Sequence, residues 1–450
     1  MAQVGIYENL PGSMAVHHHN LNDDGGFLWF DIRAAGAKVD GTTDDTIAVQ
    51  AAFNGLTSGG TVFFPVGTCL TQRLLPIDNV RILGAGWGSK IKLKDGAESD
   101  LIYVQNKTGV IVENIFLDGN KAGQAGATFH VLKFDGCTDC YFNNIYVQNG
   151  AYANVTVKDS QRVFGNNIFS KNPKSVGLYL VGTTADSIIR GINHQTDSGG
   201  ASGYHGVLLY NGVTDCEISD IFVRATGIRL SGVTFNVNCH RNKLIHGRFI
   251  GCENGVEINL SDYWELEDIF SDNNLEGLGA ESGIEIINSH YGRFSGGILR
   301  RNVGAGIYFH DGSHDNTIST VLAELNGWSG FYVNGSIRNK FTGCKGVKNS
   351  GRNYLIEAAS NDTTLEGCDG LDAGQGGDQP SIEIANSNYC LITGGDHLDD
   401  QGTKTQTYGV RETGTSNYTQ CRGVNALASR NKTGSISLTG AQSVKSDCLE

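Results

Sequence analysis

A short pattern of glycine, apolar residue, any residue, apolar residue returns along this chain at intervals of 21 to 29 residues. Its copies are GLYL (177–180), GVLL (206–209), GIRL (227–230), GVEI (255–258), GIEI (283–286), GIYF (306–309) and GFYV (330–333). SIEI (381–384) and GVRE (409–412) follow, with NYLIE marking the repeat between. A second series runs out of phase with the first through NNIYVQNG, SDIFVRATG, LEDIFSDNN and STVLAELNG, and a weaker third supplies CEIS, NKLI, WELE, YGRF and NTIS. Strands this short cannot bury a face alone, so neighbouring repeats must stack on one another. The expected fold is all-β: a parallel β-helix, or solenoid, of roughly a dozen rungs.

Composition agrees with that expectation. The chain has 62 glycines but only 5 prolines and 2 methionines, which favours many tight turns over helices. A net charge of −13 with no basic block makes nucleic acid and an anionic membrane surface poor partners. No apolar run is long enough to insert in a membrane. The first twenty residues lack a positive start followed by an apolar stretch, so no signal peptide is visible, and His17, His18 and His19 read as a polar arm. Eleven cysteines, with only Cys137 and Cys140 close together, read as buried thiols. No metal and no cofactor is expected.

Stacking converts sequence period into columns. Asn254, Asn273, Asn302, Asn326 and Asn349 fall at one turn and predict a buried amide ladder, and Cys344, Cys368 and Cys390 predict an interior thiol stack. The segment DDTIAVQAAFN (44–54) predicts a short amphipathic capping helix with Thr43 or Asp44 as N-cap. The organisation is therefore an arm (1–30), a capping helix with the first coils (31–100), the β-helix body (101–415) and a C-terminal capping region (416–450).

The run from Asp31 to Leu70, with Asp40, Gly41, Asp44, Asp45, Gln50, Gly60, Pro65 and Gly67, resembles the entry motif of the pectate-lyase-like β-helix superfamily, which includes phage tailspike depolymerases and related glycan-processing enzymes. The resemblance implies a right-handed coil, a polysaccharide or oligosaccharide substrate, and an extracellular or virion-associated location. With the apolar and tyrosine-rich outward faces, it also implies a homotrimer. Subfamily marks are mostly missing: neither the Asn-Thr-Asp and Gly-His-Gly of polygalacturonases nor the Asp-Pro-His-Glu of mannuronan epimerases occurs, and Tyr204-His205-Gly206 is a partial echo.

Alternation of side chains within each glycine-led strand sends one residue outward between two core residues. That column reads Tyr179, Leu208, Arg229, Glu257, Glu285, Tyr308 and Tyr332, with Glu383 and Arg411 further along. Glu257 and Glu285 on adjacent rungs would stand about 5 Å apart, the separation of a retaining glycosidase. Their mutual repulsion would raise one pKa and give one acid and one base. The expected function is an endo-acting glycoside hydrolase using this pair, with Arg229, Tyr308, Tyr332, Trp264, Trp328 and His205 as substrate-binding residues. Asp272 and Glu324 are alternative carboxylates, either of which would partner Glu285 in an inverting arrangement. The alternatives are a polysaccharide lyase, a fructan-processing transferase or an epimerase on the same fold, or a non-catalytic glycan-binding rod. For a lyase, Arg229, Arg300 and Arg301 offer charge, and His205, His240, His246, His290, His310 and His314 are the mid-chain histidines. Outward glutamates that only keep the sheet soluble, and tryptophans that only fill core, are the structural counterparts of these readings.

Overall fold

A computed structural model describes residues 29–196, 204–225, 230–274 and 282–450. They fall into two compact units, one holding the described residues up to 217 and the other those from 218 onward. The fold is a right-handed parallel β-solenoid with one N-terminal helix.

In the first unit the strands Ile102–Gln105, Leu132–Asp135, Ala153–Lys158, Val176–Val181 and Tyr204–Tyr210 pair in parallel. A second ladder joins Ile111–Asp118, Thr138–Gln148, Gln161–Lys171 and Ile188–Thr196. Its register stacks Ile115, Ile145, Ile168 and Ile192 into one buried column. Full burial of each such side chain contributes roughly 1.5–3 kcal/mol, which is why a repeat of isolated β-branched residues suffices to hold the coil.

The second unit repeats the device. Leu230–Asn236, Val256–Asn259, Ile284–Ile287, Ile307–His310, Phe331–Asn334, Tyr354–Glu357, Ile382–Ala385 and Val410–Thr413 form a parallel ladder. Its inward column runs Phe235, Ile258, Ile286, Phe309, Val333, Ile356, Ile384, all buried. The column ends at Glu412, paired with Ile384. Glu412 is buried and accepts bonds from Thr439 N (2.9 Å), Gly440 N (2.8 Å) and Ser443 Oγ (2.7 Å), so a satisfied carboxylate replaces the apolar column where the C-terminal segment closes the coil.

Three expectations need correction. The capping helix is Thr46–Asn54 rather than 44–54, and it buries Val49, Ala52 and Phe53. Its N-cap is Asp45, whose carboxylate leaves the helix uncapped and instead accepts Lys38 N (2.7 Å) and Val39 N (2.9 Å). Asp44 receives Thr46 N at 3.1 Å and Gln72 Nε2 at 3.1 Å, so both acids anchor the chain where the coil begins.

The rung placed at GIRL (227–230) is instead built on Gly232–Phe235: Val233 and Phe235 point inward, and Thr234 pairs with Glu257. Two neighbouring segments, 227–230 and 232–235, fit the same four-residue pattern, and stacking on Val256 and Ile258 selects the later one. Thr234 thus holds the column place given to Arg229, which lies outside the described residues, as do His17 to His19, residues 197–203 and 275–281 of the two long loops.

The amide ladder is present but shifted. Asn302, Asn326 and Asn349 bond side chain to side chain at 2.9 and 3.0 Å, while the next place is taken by Asn274, whose backbone N donates to Asn302 Oδ1 at 3.3 Å. Asn273 adopts a left-handed turn conformation (φ 55°), and Asn254 has left the ladder altogether. The thiols of Cys344, Cys368 and Cys390 are buried as expected. A serine ladder that the sequence reading did not single out runs beside them, with backbone N to Oγ bonds from Ser261 to Ser289 (3.0 Å), Ser289 to Ser313 (3.2 Å) and Ser360 to Ser387 (3.1 Å).

Candidate active site

Glu257 and Glu285 sit at matching register positions on adjacent strands, each between two buried residues of its own strand. Tyr308 and Tyr332 continue the same column on the next two strands. The parallel ladder therefore places the two carboxylates on one outward face, about 4.8 Å apart at the backbone. That spacing leaves their electrostatic environments to be set by what surrounds each one.

The surroundings differ. Glu257 is largely enclosed and receives a single weak bond from Ser231 Oγ at 3.4 Å. Burial, reinforced by the charge of Glu285, pushes its pKa up to about 7. Glu285 accepts Asn254 Nδ2 at 2.7 Å and lies 3.0 Å from His310 Nε2. Burial on its own would lower the His310 pKa, but its bonds to Glu285 and to Asp311 (3.2 Å) outweigh that and hold it above the ordinary imidazole value. Side by side stand a carboxyl group whose pKa burial raises to about 7 and a second one bonded to a histidine whose own pKa is raised.

Tyr308 stacks on His310 (centroids 4.5 Å, planes 22°) on one side and on Tyr332 (4.5 Å, 4°) on the other. Burial raises its pKa, so the phenol stays a proton donor, and Asn334 Nδ2 reaches its oxygen at 3.4 Å. Tyr332 is buried, with its hydroxyl donating to Glu357; it backs Tyr308 rather than offering a face of its own. Trp328 is half-buried with its ring against Tyr332 (4.6 Å, 60°) and near Tyr308 (6.4 Å, 61°).

Other sequence candidates are placed elsewhere. Trp264 is 1% exposed and fills the coil interior, because Gly292 leaves it room: a Cβ there would lie 1.8 Å from the indole. It is core rather than a sugar platform. Asp272 and Glu324 belong to a different ladder, flanking Arg300 in register. Asp272 is held by Arg301 Nη2 at 2.5 Å and Arg300 Nη2 at 3.3 Å, and Glu324 lies 4.0 Å from Arg300 Nη1. Burial opposes it, but these arginines hold the Asp272 pKa below the usual carboxylate value. His205 lies in the first unit, where burial lowers its pKa to about 4.

Asn334 and Glu357 have no site reading in the sequence, Asn254 reads there as part of the amide ladder, and His310 stands only among the mid-chain histidines. For His310 the signal was available: it lies two residues past Tyr308, hence on the same outward face. Asn254 was absorbed into the amide ladder by its spacing, and only the fold shows its amide turned toward Glu285. Among the described residues no group of three or more His, Cys, Asp or Glu side chains is disposed to hold a metal ion, and no helix is long and apolar enough to cross a membrane.

Residues 29–101 match the family model described as rhamnogalacturonase A/epimerase, pectate lyase-like. Over 282 residues the chain is 26% identical to mannuronan C5-epimerase AlgE2 of Azotobacter vinelandii, covering 55% of this chain and 25% of that protein. Over 152 residues it is 34% identical to alginate lyase 7 of the same organism, covering 29% of this chain and 16% of that protein. The chain therefore spans a quarter or less of the length of these curated relatives. Among solved structures, the pre-mature gene product 12 of bacteriophage phi29 superposes with a TM-score of 0.62 at 13% identity, covering 87% of this chain and 55% of that one. The chain is a right-handed parallel β-helix that shares its fold with phi29 gene product 12, and its N-terminal coils match the pectate lyase-like family model.

Proposed function

We propose that this chain is a carbohydrate-active enzyme that acts on a uronate-containing polysaccharide by proton transfer at C5, as a lyase or an epimerase, and that Glu257, Glu285, Tyr308 and His310 carry the reaction. The observation that supports this most is the contrast between two facing glutamates, one with its pKa near 7 and the other braced by His310. The sequence likeness to C5-epimerases and an alginate lyase favours this chemistry over the hydrolysis expected from the carboxylate spacing.

In this reading the protonated Glu257 and the positive charge of His310 offset the substrate carboxylate, which makes the C5–H bond acidic enough to break. Glu285 accepts that proton, and the electron pair passes into the carboxylate-stabilised enediolate. Tyr308, in register with Glu285 and stacked on His310, supplies a proton. If it goes to the glycosidic oxygen at C4, the C4–O bond breaks and an unsaturated sugar results. If it goes to C5 from the opposite face, the configuration inverts. Trp328 and Tyr308 give the sugar ring an apolar surface. Arg229, Asp272 and Glu324 remain outside this set: the first is not described, and the other two are committed to Arg300 and Arg301.

Incubation with polymannuronate and with polygalacturonate tests the proposal. A rise in the ultraviolet absorbance of unsaturated uronate reports a lyase, and a changed ratio of C5 epimers by NMR reports an epimerase. New reducing ends without either signal would favour the second reading, a retaining hydrolase, which rests on the roughly 5 Å spacing of Glu257 and Glu285.

A further inference from the structure

We infer that the first unit carries a second, non-catalytic glycan-binding groove, with one wall of stacked rings and one wall of amides, in which a short run of sugar rings lies along the coil axis. Ile111, Tyr141 and Phe164 are in register on three successive strands, and the rings of Tyr141 and Phe164 stack at 5.0 Å and 22°. Two residues further along the same strands, Glu113, Asn143 and Asn166 are in register, with Asn166 Nδ2 donating to Asn143 Oδ1 at 3.0 Å. The residues between the two columns, Val112, Phe142 and Gly165, point inward and are buried, so both columns face outward.

The groove between them has a volume of about 660 Å³, within the range of ligand sites. Its outline is rigid. Immediately beyond the amide wall the chain turns through left-handed residues Asn114, Asn144 and Asn167 (φ 53°, 50° and 52°), and their side chains form a ladder at 2.8 and 2.9 Å. Arg81, paired with Glu113, lines the groove as well.

The chemistry of the walls selects the ligand. Stacked rings stabilise the coil by themselves, yet that role does not require Tyr141 to be 46% exposed or a polar wall to face it. An aliphatic ligand would cover the remaining donors and acceptors of Asn143 and Asn166 without bonding to them. A nucleic acid would need cationic groups, and the one arginine here is committed to Glu113. A pyranose ring presents a C–H face to Tyr141 and Phe164 and hydroxyls to Asn143 and Asn166, and the paired Arg81 and Glu113 leave recognition to shape and hydrogen bonds rather than to net charge.

The test is isothermal titration of the full chain carrying Glu257→Gln, which leaves the groove untouched and is expected to suppress turnover. The probes are hexasaccharides of glucose, galactose and mannose and the matching uronate hexamers. At least one is expected to bind with little dependence on salt, and Tyr141→Ala and Asn143→Ala are each expected to weaken it about fivefold or more while leaving the melting temperature near that of the parent. Failure of every probe to bind, binding that survives both substitutions, or affinity that collapses in salt would each overturn the proposal. Because binding is read without catalysis, the result is independent of whether the glutamate site proves to be a lyase, an epimerase or a hydrolase.

Discussion

The Nε2 atom of His310 lies 3.0 Å from Oε1 of Glu285, and this pair breaks the symmetry of two glutamates that the repeat places in equivalent positions. Glu285 gains the imidazole of His310 and the Asn254 amide, while Glu257 gains a weak bond from Ser231 Oγ and the like charges of Glu285 and Glu253. Equivalent positions in the ladder thereby acquire different surroundings, and burial raises the pKa of Glu257.

Replacing either glutamate by Gln is expected to lower turnover by about 10²-fold or more without unfolding the protein, since neither side chain contributes to the inward column. Single-turnover rates on the active polysaccharide, with circular dichroism as the folding control, check this. Turnover near that of the parent in both variants would place the chemistry elsewhere.

A fall in kcat/KM as pH rises through about 7 is expected, because the reaction uses the protonated form of Glu257, whose pKa is raised to that value. The pH profile of kcat/KM measures it directly. Flat activity from pH 5 to 9 would remove Glu257 from the acid role.

Stability should follow the same group with a definite sign. The folded pKa of Glu257 is raised, so its favourable contribution is complete below the unfolded pKa of about 4.3 and is lost as pH rises through about 7. Glu257→Gln should therefore melt higher than the parent at pH 8, by an amount on the order of 3 kcal/mol, and the difference should shrink toward pH 4. Urea unfolding at the two pH values decides it.

Asp272→Asn is expected to cost about 1–2 kcal/mol, discounted for the partial exposure of Arg300 and Arg301, with turnover of the folded enzyme retained. The lowered folded pKa of Asp272 means that the contribution exists above the ordinary carboxylate pKa and disappears as pH falls through the folded value. Thermal melts at pH 7 and pH 3 read both effects.

Asn326→Ala should cost about 2–4 kcal/mol. It removes a fully buried amide bonded to Leu299 O, Asn349 and Asn302, and it strips the Asn302 backbone N and Nδ2 of their buried acceptor. A shift of the urea midpoint with unchanged m-value is the expected signature.

The sequence by itself determined the coil, the alternation of inward and outward residues, and the neighbourhood of Glu257, Glu285, Tyr308 and Tyr332. Each follows from a period of 2 within strands and 21 to 29 between them. What the period does not carry is register within a tolerant pattern. Gly227 and Gly232 both open an acceptable strand, and only stacking of Val233 and Phe235 on Val256 and Ile258 separates them. Nor does it carry how a side chain is covered once it points outward. Tyr332 faces outward and is buried with its hydroxyl on Glu357, and Trp264 is interior because a glycine one rung along makes space for it. Tertiary structure alone turned Asn254 out of the amide ladder and His310 toward Glu285. These contacts join residues 25 and 31 positions apart, and their side-chain orientations are set by packing between rungs, a physical quantity that spacing along one chain does not encode.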